Sequence, residues 1–305
     1  MRRRDFIKNT LLATGALSVA SFYSPTAFAS EKEIGPVVSQ ATLKKSIMWE
    51  TAGLQGSVLD KCKAIKEAGF DGIEPNSHMD RNAVLDAMQA TGLKASSVCN
   101  SKHWEFRLSH PDKAIRQQGV EAMIVAMEDA KAYSTDAVLL VPGVVNESVS
   151  YDDCWKRSTD CIRQLLPVAQ DLKVKICVEN VWNNFILSPL EACAYVDQFN
   201  SPYAGFYFDC GNVLVYGWPE QWIKILGYRI GRIHIKEYSK QIGDKQGRGA
   251  GFGVKLTEGD VRWKEVMHQI RNEYVGGWLT TEQGNSRSLE DLKDLSSRLD
   301  SIMAM

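Results

Sequence analysis

The sequence predicts an α/β protein built as a single (β/α)8 TIM barrel, and three observations lead to this fold class. Eight short β-rich runs recur along the chain, helical patterns lie between them, and most of the runs are apolar throughout. Alternating strands and helices indicate parallel pairing, and continuous apolar runs indicate strands covered on both faces. Eight such units fit the roughly 250 residues that one barrel of this type takes.

The predicted strands are spaced so that a helix fits between most neighbours. They are Lys44–Trp49, Phe70–Pro75, Leu93–Asn100, Asp136–Pro142, Val174–Asn180, Tyr203–Gly211, Arg229–Lys236 and Gly276–Gln283. An open doubly wound sheet is the competing fold. However, no G-x-G-x-x-G follows the first strand, and no G-x-x-x-x-G-K-[ST] occurs in the sequence. The closed barrel is therefore the prediction.

The predicted helices have recognisable ends. In the stretch 56–69, Ser57 is placed to cap a helix and Gly69 to end it. The same pattern predicts helices over 82–92, 111–133 and 288–303. The connection Glu237–Asp260 is long, polar and rich in glycine. Long loops in compact domains are commonly lids or binding loops, so this one is expected to lie over the catalytic face.

The first residues read as a targeting segment. Residues 1–29 combine a basic start, a mildly apolar middle and Ala27-Phe28-Ala29 as a cleavage site, and the run from Arg3 to Lys8 matches the twin-arginine export signal. The expected organisation is a twin-arginine signal peptide over 1–29, a linker over 30–42 and the barrel over 43–305. We therefore expect export by the Tat machinery to the periplasm, without a stable membrane anchor.

The composition argues against a nucleic-acid partner. Removing residues 1–29 takes away four basic and one acidic side chain, which leaves 32 basic and 36 acidic residues. A net charge near −4 does not suit a surface that binds the phosphate backbone of a nucleic acid. The seven cysteines are odd in number and several lie in apolar runs, so free buried thiols are expected in place of disulfides.

The last four predicted strands all end in side chains that can bind a metal ion. These are Glu179, Asp209, His234 and Glu282. Strand ends meet at one edge of a barrel, and neighbouring strands are about 4.8 Å apart, so the four side chains can reach one point. Three carboxylates crowded there would repel one another unless a cation compensates. The set predicts one divalent metal ion, Mn²⁺, Mg²⁺, Co²⁺ or Zn²⁺.

The order of several short motifs resembles the sugar phosphate isomerase/epimerase group of xylose isomerase-like TIM barrels. The motifs are EAGFDGIEP, VEN, FDCGN, HIKEY, EGDVRW and TTEQG, and they span most of the chain after residue 47. The resemblance implies that Glu179, Asp209, His234 and Glu282 are the metal ligands. It also implies that Glu74 and Lys236 lie near the substrate.

Three further residues are candidates for substrate binding. His103 follows the third predicted strand, and Trp182 lies just after the fifth, where an indole can stack on a sugar. Family members often carry a substrate-contacting His three residues after the sixth-strand Asp. That position is Asn212 in this chain, so the contact is expected to differ.

The reaction that such a site implies is proton abstraction next to a sugar carbonyl, through an enediolate. Glu179 is expected to be the base, and Glu282 to return a proton to the opposite face in an epimerisation. Phosphosugars are mainly cytoplasmic, so an exported member is expected to act on an unphosphorylated sugar or keto-sugar.

Other functions stay open at this point. A lyase that cleaves a 3-keto-glycoside by β-elimination would begin with the same proton abstraction. A non-catalytic carbohydrate-binding barrel would need no base at all. An AP endonuclease of the same superfamily is disfavoured, because the chain has only five histidines and is acidic. The resemblance allows either a monomer or a homodimer.

Overall fold

The computed structural model describes residues 42–284 and 286–305, and over these ranges nine parallel strands form one nearly closed barrel. The predicted signal peptide and residues 30–41 of the predicted linker lie outside the described residues. The strands are β1 Lys44–Met48, β2 Gly72–Glu74, β3 Lys94–Ala95, β4 Val98–Cys99, β5 Ala137–Leu140, β6 Lys175–Glu179, β7 Ala204–Asp209, β8 Ile230–Ile235 and β9 Trp278–Thr281.

The strands follow chain order around the barrel, and β1 lies beside β9. The predicted third strand, 93–100, is divided into β3, which pairs with β2, and β4, which pairs with β5. Between them, the backbone of Ser96 still donates to Ile73 O at 2.9 Å, and Cys99 N–H donates to Pro75 O at 3.0 Å. The barrel therefore continues across the break, and the predicted TIM-barrel fold is confirmed.

Helices alternate with the strands and cover the outside of the barrel. They are α1 Val58–Glu67, α2 Arg81–Thr91, α3 Lys113–Ala132, α4 Tyr151–Leu172, α5 Pro189–Asp197, α6 Cys210–Val213, α7 Pro219–Leu226, α8 Lys240–Gln246, α9 Trp263–Glu273 and α10 Leu289–Met303. Short 3-10 turns occur at Trp49–Thr51, Gly227–Arg229 and Arg248–Gly253. Among the described residues, no helix has both the length and the apolar character needed to cross a bilayer.

The helix ends follow the sequence signals. Ser57 and Ser288 each form a capping box, with Asp60 and Asp291 respectively as the third helical residue. At the end of α2, Gly92 adopts φ 73°, a left-handed conformation that favours glycine. Local capping chemistry therefore sets these boundaries.

The core has two layers. A large cluster fills the space between the sheet and the helices, and a smaller one fills the barrel with Cys99, Ala137, Leu139, Val141, Cys177 and Tyr207. In β6, Ile176 and Val178 belong to the outer layer and Cys177 to the inner one. Because side chains alternate along a strand, Glu179 must point into the barrel like Cys177.

All seven cysteines are free thiols, and six of them are buried, as the sequence predicted. The thiol of Cys193 on α5 is half-buried. Burial raises the pKa of the Cys177 thiol to about 11, so this side chain is inert at neutral pH.

Candidate metal centre and active site

Four side chains from consecutive strand ends meet inside the mouth of the barrel. Glu179 ends β6, Asp209 ends β7, His234 lies in β8 and Glu282 follows β9. Each offers a ligand atom, and these atoms all lie within 4.8 Å of one another. The structure thus brings together the four residues that the sequence placed at one point.

The imidazole of His234 uses both of its nitrogens in this cluster. Nδ1 lies 3.0 Å from Glu179 Oε1, 3.1 Å from Glu282 Oε2 and 4.0 Å from Asp209 Oδ2. Nε2 points the other way and lies 2.9 Å from Glu74 Oε2. One nitrogen therefore faces three carboxylates, and the other faces a fourth.

Two oxygens of the cluster are buried without a hydrogen-bond partner in the described part of the chain, Asp209 Oδ2 and Glu282 Oε2. Glu282 Oε2 is close to His234 Nδ1 but lacks the alignment of a hydrogen bond. The other oxygen of Asp209 accepts from Asn212 N–H at 2.6 Å. Buried unpaired oxygens are costly, and one divalent cation would satisfy both. The residues therefore fit such an ion, with oxygen ligands and one imidazole.

Burial and neighbouring charges shift the pKa values of the clustered side chains. Burial raises the pKa of Glu179 and raises that of Asp209 well above its ordinary range. Burial would lower the pKa of His234, but Glu74, Glu179 and Glu282 together raise it well above its usual value. Without a metal ion, a proton on the imidazole thus compensates part of the negative charge.

Lys236 is the cation of the site. Its Nζ lies 2.9 Å from Glu282 Oε1 and 4.0 Å from Asp209 Oδ2. Burial would raise the pKa of Glu282, but Lys236 and His234 outweigh it and lower this pKa. Lys236 thus lies beside the four clustered residues, and its ammonium is engaged by Glu282.

Glu74 lies beside His234 in the interior of the barrel. Its side chain is fully buried, its Oε2 faces His234, and its Oε1 accepts hydrogen bonds from Ser97 Oγ and Tyr207 OH, both at 2.7 Å. Neither Ser97 nor Tyr207 was predicted from the sequence as a site residue. Tyr207 could have been found, because it precedes Asp209 by two residues and must share its inward face.

His103 follows β4 and is buried at the mouth of the barrel. Its Nδ1 accepts a long hydrogen bond from Val141 N–H at 3.4 Å. Burial lowers the pKa of His103 to about 4, although Glu282 and Glu74 oppose this shift. The ring is therefore neutral at physiological pH.

Asn212 and Trp182 are joined by a hydrogen bond at the rim of the site. Asn212 is buried, and its Nδ2 donates to Asn180 O at 3.0 Å. The indole N–H of Trp182 donates to Asn212 O at 3.0 Å, while 37% of the Trp182 side chain stays exposed. Asn212 is thus committed to a structural contact, whereas Trp182 presents a face to solvent.

The long connection after β8 lies against this rim, and it is more ordered than the sequence indicated. It contains α8 and a 3-10 turn, and this turn carries Phe252. The Phe252 ring lies 4.8 Å from the Trp182 ring, and Lys236 Nζ lies 4.6 Å from the Phe252 centroid. Phe252 thus lines the rim of the site, and it was not predicted from the sequence. Its position as an isolated aromatic residue in a Gly-rich run could have indicated this role.

A family model described as xylose isomerase-like TIM barrel matches residues 62–302. The chain belongs to this family. The matched region covers β2 to β9 and so includes the four clustered residues. Membership of the sugar isomerase/epimerase group, which the motifs predicted, is confirmed by the match and by the names of the relatives.

Two relatives of this xylose isomerase-like barrel are named as sugar epimerases. L-ribulose-5-phosphate 3-epimerase UlaE of Escherichia coli is 26% identical over 238 residues, which cover 72% of this chain and 80% of the relative. The enzyme of the same name from Salmonella typhimurium is 27% identical over the same length.

Solved structures of sugar epimerases share the fold. The 3-keto-D-glucoside 4-epimerase YcjR of E. coli superposes with a TM-score of 0.72 at 17% identity, covering 87% of this chain and 100% of that one. A D-allulose 3-epimerase from Methylomonas sp. gives a TM-score of 0.69 at 18% identity, covering 87% and 98%. At this level of identity the likeness establishes the fold.

Proposed function

We propose that this protein is a divalent-metal-dependent sugar isomerase/epimerase. The observation that carries the proposal is the set Glu179, Asp209, His234 and Glu282, whose ligand atoms lie within 4.8 Å of one another and include two unpartnered buried oxygens. The cluster lies at the C-terminal ends of the strands, where barrels of this kind hold their active sites. The family and its sugar-epimerase relatives support the same reaction class.

A bound divalent ion would polarise a substrate carbonyl and its neighbouring hydroxyl, which acidifies the carbon-bound proton between them. Glu179 takes that proton and leaves an enediolate. Its carboxylate suits this role because it ends β6 inside the barrel mouth, beside the other residues that would hold the ion.

Glu282 returns a proton to the opposite face in the proposed epimerisation. It follows β9, its Oε2 lies 3.1 Å from the same His234 Nδ1 that Glu179 contacts, and Lys236 holds its Oε1 at 2.9 Å. A single carboxylate that served both transfers would instead interconvert an aldose and a ketose. The inversion of a stereocentre therefore needs both glutamates.

The proposed substrate is an unphosphorylated sugar or keto-sugar. A phosphate group would need cations, and the cation of the site, Lys236, is already paired with Glu282. Trp182 and Phe252 offer aromatic faces at the rim, which suit the apolar face of a sugar ring. The proposed export also argues for a substrate found outside the cytoplasm.

We further propose that residues 1–29 direct the chain through the Tat machinery to the periplasm. The support is the sequence of this segment, with its paired arginines and its Ala27-Phe28-Ala29 site. A measurement of the molecular mass of the mature protein in solution would distinguish a monomer from a homodimer.

The central test replaces the proposed base. Glu179→Gln keeps the shape of the side chain but removes its basicity, so exchange of the substrate α-proton with deuterated solvent should fall by about 10²–10⁴-fold. The probes are D-allulose, L-ribulose 5-phosphate and a 3-keto-D-glucoside, with exchange and products followed by NMR in the presence of Mn²⁺.

Glu121→Gln on the exposed face of α3 is the matched control, and it should exchange at the wild-type rate. Wild-type exchange in Glu179→Gln would remove Glu179 as the base. Release of a free alcohol from the glycoside would identify a lyase, and no exchange by the wild type with any probe would favour a binding protein.

A further inference from the structure

Glu74 occupies a position that the proposed reaction does not use. The side chains of both Glu74 and His234 are completely buried, and Glu74 Oε2 lies 2.9 Å from His234 Nε2. A substrate at the mouth of the barrel would meet Glu179 and Glu282 first, because these carboxylates lie on the opposite, Nδ1 side of the imidazole. The function of Glu74 must therefore act through His234.

The hydrogen bonds around Glu74 fix which nitrogen of His234 carries a proton. A carboxylate can only accept, so Nε2 must donate to Glu74. In the neutral imidazole this leaves the lone pair on Nδ1, which points at the centre of the cluster. This is the tautomer that a metal ion requires at Nδ1.

The carboxylate of Glu74 is itself held firmly. Ser97 and Tyr207 both donate to Oε1 at 2.7 Å, and the Tyr207 ring lies 4.4 Å from the His234 ring. Ser97 lies in the break between β3 and β4, so the interruption of the third strand brings a hydroxyl to this carboxylate. The orientation of the imidazole is thus set by groups from three separate regions of the barrel, β2, the β3–β4 break and β7.

We propose that Glu74 is a positioning residue that fixes the tautomer and orientation of His234 for divalent-metal binding, a role that rests on the proposed metal site. Glu74 would hold Nε2–H while Nδ1 would bind the ion, and the carboxylate would also make the imidazole a stronger ligand. Ser97 and Tyr207 orient the carboxylate. Glu74 touches neither substrate nor metal in this arrangement.

The experiment measures Mn²⁺ affinity of the mature protein by titration calorimetry, without any substrate. In Glu74→Gln the amide oxygen still accepts from Nε2, and the amide nitrogen can donate to the Ser97 and Tyr207 hydroxyls, so the packing stays while the charge is lost. We expect the dissociation constant to rise by about 10–100-fold. Tyr207→Phe removes one of the two hydroxyl donors and should raise it by a smaller factor.

Asp129→Asn is the matched control. Asp129 is buried and hydrogen-bonded like Glu74, but it lies on α3, where it accepts from His78 N–H and from Arg81. This variant should bind Mn²⁺ with wild-type affinity. A second readout is the visible absorption spectrum of bound Co²⁺, which reports the ligand field of His234; it should change in Glu74→Gln and not in Asp129→Asn.

The outcomes separate this role from the proposed function. Wild-type affinity and an unchanged Co²⁺ spectrum in Glu74→Gln would overturn the positioning role and leave the metal enzyme standing. Failure of the wild type to bind Mn²⁺, Co²⁺, Mg²⁺ or Zn²⁺ would overturn both. If Glu74→Gln does not fold, Tyr207→Phe decides, and wild-type affinity in that variant would overturn the proposal.

Discussion

The acidic side chains at the barrel mouth carry more negative charge than the nearby cationic side chains neutralise. Glu179, Asp209 and Glu282 converge on one point, and Lys236 compensates only part of their charge. The imidazole of His234 adds a proton in the absence of metal, because the carboxylates raise its pKa. Each of these residues is ordinary alone, and it is their convergence that gives the site its chemistry.

In His103 burial outweighs the nearby carboxylates and lowers the pKa, whereas in His234 the carboxylates win. The shift in His103 gives a prediction about stability. Its pKa is lowered to about 4 from an ordinary 6.5, so the unfolded chain takes up the proton more readily. The stability that neutral His103 provides is complete above pH 6.5 and is lost as the pH falls towards 4. Between pH 7 and pH 5, the wild type should lose about 2 kcal/mol more unfolding free energy than His103→Gln.

The measurement is urea unfolding of metal-free protein at the two pH values. His268→Gln is the control, because His268 is exposed on α9 and should leave the pH dependence unchanged. An identical loss of stability in wild type and His103→Gln would contradict a buried neutral ring.

Among the elements, the segment between β8 and α9 is held to the barrel by two buried polar side chains. The carboxylate of Glu237 accepts from backbone N–H groups of Tyr238, Thr257 and Val261, and from the Trp263 indole at 2.7 Å. A Cβ at Gly259 would lie 2.5 Å from Glu237 Oε1, so only glycine allows this close approach. Glu237 therefore fixes the later half of the segment.

Gln283 fixes the start and the middle of the same segment. Its Oε1 accepts from Glu237 N–H at 2.7 Å, and its Nε2 donates to Phe252 O at 2.9 Å and Val254 O at 2.5 Å. The backbone that carries Phe252 is thus tied to the residue that follows Glu282. The wall of the site and one of its carboxylates are positioned by the same short stretch of chain.

Loss of the Glu237 carboxylate should loosen this segment. In Glu237→Gln an amide replaces the carboxylate that accepts from four N–H donors. Because the amide NH2 group cannot accept a hydrogen bond, at least one donor loses its acceptor. The expected cost in unfolding free energy is about 1–3 kcal/mol. We expect trypsin to cleave after Lys245, Arg248 or Lys255 several times faster than in the wild type, as followed by mass spectrometry.

Glu258→Gln is the matched control within the segment. Glu258 is exposed and pairs with Arg298 at 2.8 Å, and such surface pairs contribute little to stability. Equal cleavage rates in the two variants would show that Glu237 does not anchor the segment.

At the scale of the whole molecule, the first and last strands of the barrel pair with each other and so close the sheet. β1 pairs with β9, and Lys45 Nζ bridges to Asp300 on α10 at 2.6 Å. A metal ion that joins the ends of β6, β7, β8 and β9 would hold half of the barrel together. Metal binding should therefore be linked to global stability.

Removal of the metal should lower the melting temperature. An ion that binds only the folded state, at 100 times its dissociation constant, stabilises it by about 2.7 kcal/mol. For a chain of this size that amounts to several degrees. Calorimetric scans of the mature protein in excess Mn²⁺ and in EDTA measure the difference.

The comparison needs a variant that folds but lacks one ligand. Glu282→Gln keeps the shape of the side chain and should show a much smaller shift between Mn²⁺ and EDTA. Identical melting temperatures for the wild type in the two conditions would contradict a metal bound by the folded barrel.

Much of the site follows from local sequence because parallel strands end at a common edge. An apolar run that ends in a carboxylate or a histidine marks the edge by itself, and Glu179, Asp209, His234 and Glu282 were found in this way. Helix boundaries are equally local, since Ser57 and Ser288 cap through residues only three positions away.

The role of Glu74 was not accessible in the same way. Its partner Tyr207 is 133 residues away along the chain, and Ser97 is 23 away across a break that interrupts the third strand. Contacts across the barrel interior depend on the relative stagger of strands, for example the register shift between β7 and β8 at Phe206 and Tyr207. No local pattern encodes that stagger.

The sequence by itself determined the barrel, the order of its elements and the four residues at its mouth, because these depend on periodicity and on strand ends. Only the tertiary structure decided that Glu74 lies behind His234, that Asn212 is tied to Asn180 and that Phe252 lines the site. The physical reason is that depth within the barrel and contact between distant segments arise from packing, which the local pattern of residues does not specify.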